Sequence, residues 1–107
     1  MELTKDAKKL ISTLYIEYTE KRKRGIGKSD AKKFEYEELI MLPHKMPAND
    51  VTETCEELKR IDFLSFKRWI NGGYSEFTLA DSAIIMMENL TADTVQKGFD
   101  NLTKLIP

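Results

Sequence analysis

The chain of 107 residues contains one cysteine, one histidine, one tryptophan, three prolines and five glycines, and these scarcities exclude several classes. A single thiol, Cys55, rules out an internal disulfide framework, and a zinc-binding thiol cluster needs more cysteines. The only histidine, His44, lies between Pro43 and Lys45 in an expected solvated loop, with neither a carboxylate set nor a nucleophile at supporting spacing. The longest apolar run, Ala83 to Met87, is far below the roughly 20 residues that span a bilayer. The opening residues Glu2, Lys5, Asp6, Lys8 and Lys9 offer no apolar signal-peptide segment. The expectation is a cytoplasmic protein that spans no membrane, carries no metal or other cofactor and is not an enzyme. There is no internal repeat and no room for a second full core, so residues 1–107 read as one domain.

What is present is apolar material for a core, at 41% hydrophobic residues, and a charged surface at 33%. The formal net charge of −1 conceals an asymmetry. Up to Phe34 there are ten Lys and Arg against five Asp and Glu, a charge of +5, and beyond it seven against thirteen, a charge of −6. Much of the positive excess lies in KRKRGIGKSDAKK, from Lys21 to Lys33. Such a cluster can steer an anionic partner, although basic residues at a helix end also complement the macrodipole and solvate the surface. Gly25, Ile26, Gly27, Lys28 and Ser29 share composition with a phosphate loop but lack its longer glycine-spaced cradle and preceding strand.

Thr4 is placed to cap a helix with Asp6 in its first turn, and Leu3, Ala7, Leu10, Ile11, Leu14, Tyr15 and Tyr18 form one apolar stripe. That helix is expected to reach about Arg24 and to exit at Gly25 and Gly27. Ser29 suits the cap of a second, short helix with Ala31 and Phe34, the latter its buried anchor. Between Glu35 and Asp50, Leu39 to Leu42 fits either a short strand or a helical turn within a loop. Asn49 or Asp50 can cap a helix to about Arg60, with Val51, Cys55, Leu58 and Ile61 inward and Thr52, Glu53, Glu56, Lys59 and Arg60 outward.

In FLSFKRWINGGYSEFTLA, two runs of strand formers flank Asn71-Gly72, which predicts a hairpin with a two-residue type I′ turn. That register pairs Leu64 with Leu79, Ser65 with Thr78, Phe66 with Phe77, Lys67 with Glu76, Arg68 with Ser75 and Trp69 with Tyr74. It collects the apolar side chains on one face. Asp81 or Thr78 would then start a helix with Ala80, Ala83, Ile84, Met87 and Leu90 inward. A last amphipathic helix would present Val95, Phe99, Leu102 and Ile106.

This order predicts an α+β, mostly α, winged helix-turn-helix fold, with a two-stranded hairpin as the wing, the helix ending at Arg60 in the recognition position, and C-terminal helices. The segments LYIEYTEKRKRGIGKSDAKKF, DVTETCEELKRIDFL and LADSAIIMMENL resemble small bacterial winged-helix proteins of phage or mobile-element type, distantly the YjcQ-like group. The resemblance covers most of the chain. It implies a winged-helix fold and binding of nucleic acid, and brings no catalytic motif.

On that fold, Thr52 and Lys59 would meet bases or backbone, Lys67 and Arg68 would lie on the wing, and Arg22, Arg24, Lys28, Ser29, Lys32 and Lys33 would contact phosphates of double-stranded DNA. Asp50, Glu53, Glu56 and Glu57 on the recognition helix, and a sequence pI near 5.9, oppose this. The leading expectation is a DNA-binding transcriptional regulator or phage accessory factor. The alternative is a protein-interaction module on the same scaffold. Trp69 and Tyr74 either brace the hairpin tip or anchor a partner, and Phe99, Leu102 and Ile106 offer a homodimer face.

Overall fold

Helix α1, Lys5–Lys23, begins where Thr4 accepts a hydrogen bond from the Ala7 amide at 3.1 Å, with Asp6 in its first turn. Its end is a Schellman motif. Gly25 adopts φ +85°, its amide donates to the Arg22 carbonyl, and the Ile26 amide donates to the Lys21 carbonyl, both at 3.0 Å. A residue with Cβ would be strained there, which explains the glycine. Along this helix Ala7, Leu10, Ile11, Leu14, Tyr15 and Tyr18 are all buried, as the stripe predicts.

The chain, a computed structural model describing residues 3–89, is α+β and mostly helical. After α1 come α2 (Lys28–Ala31), β1 (Lys33–Phe34), α3 (Tyr36–Met41), α4 (Ala48–Arg60), β2 (Leu64–Ser65), β3 (Phe77–Leu79) and α5 (Asp81–Glu88). The strands form an antiparallel sheet in the order β1-β3-β2. The core gathers Leu10 and Leu14 from α1, Phe34, Leu39, Val51, Cys55 and Leu58, Phe77 and Leu79 from the sheet, and Ile84 from α5.

Several expectations change here. The sheet has three strands, not two, because Lys33 and Phe34 pair with Thr78 and Phe77. Phe34 is fully buried as its anchoring role requires, yet it sits on a strand. Burying such a ring contributes roughly 1.5–3 kcal/mol. Helix α2 is a single turn whose N-cap is Gly27, so Ser29 lies inside it. Helix α4 is capped by Pro47, whose extended backbone leads into the helix without a side-chain bond, and Asn49 and Asp50 fall in its first turn. At its other end Asp62 takes φ +63°, with Phe63 N donating to Leu58 O at 2.9 Å, a second Schellman closure.

The segment that reads ambiguously, Leu39 to Leu42, ends the helix α3 and enters a turn to α4. His44 is not solvated. It is buried within that turn, its Nε2–H donating to the Leu39 carbonyl at 2.8 Å and its Nδ1 accepting from the Met46 amide at 3.0 Å. Donation from the Met46 amide assigns the neutral tautomer with hydrogen on Nε2. Lys45 beside it adopts φ +56°.

The hairpin follows the predicted register at its base, where Leu64 meets Leu79 and Ser65 meets Thr78. Beyond that it slips by one residue. Arg68 bridges to Tyr74, and the Ser75 amide donates to the Lys67 carbonyl at 2.8 Å. The turn is therefore not type I′. Gly72 has φ +89° while Asn71 does not enter the left-handed region; Gly72 N donates to Trp69 O at 2.9 Å, and Trp69 N to Gly73 O at 2.7 Å. This is a three-residue loop closed by a left-handed glycine, and it inserts the extra residue that displaces the pairing. Glu76 loses its place opposite Lys67. Trp69 faces Gly73 instead of Tyr74.

Replacing His44 by Ala would leave the Leu39 carbonyl and the Met46 amide without their partner in the turn between α3 and α4. Chemical denaturation of the His44→Ala variant is expected to show a loss of about 2–4 kcal/mol. A loss below about 0.5 kcal/mol, the range of ordinary surface substitutions, would contradict this role.

Candidate nucleic-acid interface

At 100° per residue, α4 divides into distinct faces. Val51, Thr54, Cys55 and Leu58 point into the core. Thr52 and Lys59 occupy one flank, where Lys59 Nζ lies 4.8 Å from the centre of the Phe66 ring and Thr52 Oγ1 donates to the Asn49 carbonyl. Asp50 and Glu57 occupy the opposite flank, beside the start of α1. There Thr4 Oγ1 donates to the Glu57 carboxylate at 2.7–2.9 Å. Thr4, Asp6, Asp50, Glu53, Thr54, Glu57 and Arg60 line a shallow groove of about 300 Å³. The outermost positions are Asn49, Glu53, Glu56 and Arg60. The carboxylates thus occupy the outer edge and the α1 side, and the Lys59 flank adjoins the hairpin.

The hairpin continues that flank. Phe66 and Phe77 meet at 4.6 Å between ring centres, and Tyr74 packs against Phe66, against Phe77 and, stacked at 5.2 Å, on Tyr36 of α3. Arg68 lies 5.9 Å from the Tyr74 ring. Lys59 and Arg68 therefore share an aromatic support, and both hairpin cations, Lys67 and Arg68, are exposed. The expected pair of Trp69 with Tyr74 does not form: Tyr74 turns toward α3 and Trp69 is half-exposed. The sequence does not assign Tyr36 to this region, because the segment from Glu35 gives no readable helical period.

The basic stretch at the exit of α1 is dispersed by its partners. Lys21 is buried, donating to the Lys33 carbonyl at 2.8 Å and pairing with Glu38 at 2.9 Å. Arg22 donates to the Ile26 carbonyl at 3.2 Å, and Arg24 reaches Glu17 at 3.5 Å. Lys32 Nζ contacts Asp81 Oδ1 at 2.9 Å at the start of α5, a pair with which its expected phosphate contact would compete. Arg22 and Lys28 line a cleft of about 520 Å³ whose walls include Tyr15, Tyr18, Asp81, Ile84 and Glu88. Ser29 and Lys33 are exposed. These contacts direct Arg22, Lys28 and Lys32 toward α5, whereas Lys59, Lys67 and Arg68 gather at α4 and the hairpin. Phe99, Leu102 and Ile106 lie outside the described residues.

Burial pushes the Cys55 thiol up to about 12, with the neighbouring Glu56 adding to the effect. The thiol is therefore protonated and enclosed, a poor nucleophile. Among the described residues, no group of three or more His, Cys, Asp or Glu side chains is placed to hold a metal ion. No helix there is long and apolar enough to cross a membrane.

Hydrogen bonding and charge attraction from Lys32 hold the Asp81 carboxyl below its ordinary value of 3.8. A carboxylate with a depressed folded value contributes stability above its unfolded value and loses it as pH falls through the folded one. The stability difference between wild type and Lys32→Ala, followed by denaturation against pH, should persist near neutrality and shrink below pH 3.8. A difference that stays constant into that acid range would contradict the pairing.

No protein-family model matches the chain, and no curated protein or solved structure matches it either.

Proposed function

We propose that the chain is a winged-helix DNA-binding protein serving as a transcriptional regulator or a phage or mobile-element accessory factor. The order α1, β1, α3, α4, β2, β3, α5 supports the winged-helix reading, with α3 and α4 as the helix-turn-helix and residues 64–79 as the wing. The short α2 is an insertion before β1 on this reading. The resemblance of the sequence to small bacterial winged-helix proteins agrees with it.

One observation carries the DNA reading. The aromatic group of Phe66 and Tyr74 carries Lys59 of α4 and Arg68 of the hairpin, and the exposed Lys67 immediately precedes Arg68 in the chain. Three cations on adjoining elements make a footprint for phosphates. Glu53 and Glu56 on the outer edge of α4 disfavour deep entry of that edge into a major groove, so the Thr52–Lys59 flank is the side that approaches the backbone. Contacts of this kind position a protein on a duplex and confer little sequence preference.

The carboxylates of the exposed Glu53 and the half-buried Glu56 also favour a second reading, in which the same scaffold binds a basic protein partner. Fluorescence anisotropy with a mixed-sequence duplex separates the two. Binding at about 50 mM salt should weaken steeply toward about 200 mM. Replacing Lys59, Lys67 and Arg68 together by Ala should flatten the salt slope by about 2–3, since each phosphate contact contributes close to one. The triple Arg22, Lys28 and Lys33 replacement should change it less. Absence of binding at low salt, or loss confined to the second variant, would contradict the proposal.

A further inference from the structure

The apex of the hairpin holds two neighbouring apolar side chains outward. Ile70 is fully exposed and Trp69 is half-exposed. The backbone that carries them is closed by three hydrogen bonds within five residues: Trp69 N to Gly73 O at 2.7 Å, Gly72 N to Trp69 O at 2.9 Å, and Gly73 N to Asn71 Oδ1 at 3.0 Å. The indole of Trp69 packs at the Gly73 position, where a Cβ would lie 3.4 Å from Trp69 Cδ1 and 3.3 Å from Asn71 Oδ1. Deeper in the hairpin, Tyr74 is fixed between Phe66 and Tyr36. Ile70 therefore stands at the end of a braced support.

The charge around the apex selects the partner. Lys67 and Arg68 immediately precede Trp69, and no Asp or Glu occurs from Phe66 to Ser75. A positively charged tip carrying an aliphatic end suits a ligand with an anionic rim and an apolar interior, which in a duplex is the minor groove with its stacked bases. Proteins that bend DNA insert Ile, Leu, Met, Phe or Pro between base steps from that groove. Pyrimidine–purine steps such as TA open most readily.

We propose that the wing tip is a minor-groove wedge: Lys67 and Arg68 hold the phosphates while Ile70 enters a flexible base step, partly unstacks it and bends the duplex. The inference rests on the DNA-binding reading. It adds indirect readout, a preference for deformable steps, to a surface whose other contacts are to the backbone.

The test uses the full chain and a duplex with 2-aminopurine beside a central TA step and a fluorophore pair at its ends. At low salt, anisotropy reads binding, 2-aminopurine emission reads unstacking, and energy transfer reads bending. Trp69, the only tryptophan, reports contact at the tip. Wild type is expected to quench or shift Trp69 emission, raise 2-aminopurine emission and increase energy transfer. The Ile70→Ser variant, altered at an exposed apex, should lose the last two signals while retaining affinity within about threefold, because the phosphate contacts remain. Binding without unstacking in wild type, equal unstacking in both proteins, or unchanged Trp69 emission at saturation would each overturn the wedge and leave DNA binding standing. No binding at low salt would overturn both readings.

Discussion

The ammonium of Lys21 ties together three parts of the fold. It donates to the Lys33 carbonyl, pairs with Glu38 of α3 and lies 4.1 Å from the Phe34 ring, so the end of α1, strand β1 and the helix that follows share one cation. The charge is enclosed, and a buried charge is tolerated because its partners replace water. Phe34 beneath it pairs through its backbone with Phe77. That pairing makes β3 the centre of the sheet and directs the chain into α3, whose first residue, Tyr36, stacks on Tyr74. The orientation of the hairpin beside α4 thus depends on a lysine distant from it.

The same organisation separates the charges. One set of cations, near the exit of α1, is engaged by Glu17, Glu38 and Asp81 or directed toward the α5 cleft. Another, smaller set lies along Lys59, Lys67 and Arg68. A sequence pI near 5.9 is an average over these regions and conceals the local positive flank. On the proposed reading, modest affinity and strong salt dependence follow, with selectivity arising from deformation of the duplex more than from base contacts.

Features governed by local periodicity were legible in the sequence. The stripe and cap of α1 and the inward face of α4 depend on residues a few positions apart, the base of the hairpin on alternation in two runs joined by a short turn, and the structure follows them. The hairpin apex departs because Asn71-Gly72 suits two loop geometries, and the three-residue form keeps Asn71 out of the left-handed region. Strand β1, two residues long, is too short to show an alternating pattern, and only its pairing with β3 reveals it. His44 reads as a loop residue because its partners, Leu39 and Met46, are backbone groups whose positions depend on the turn itself. The contact between Lys32 and Asp81 joins positions 49 residues apart, beyond any reading of spacing.

The most direct test of the proposed interface at α4 and the hairpin is the map of backbone amide chemical-shift changes when the labelled protein is titrated with duplex DNA at low salt. The expected result is a contiguous set at Thr52, Lys59 and residues 67–73, with little change from Arg22 to Lys33. Changes centred on Arg22 to Lys33, or no changes at all, would contradict the account.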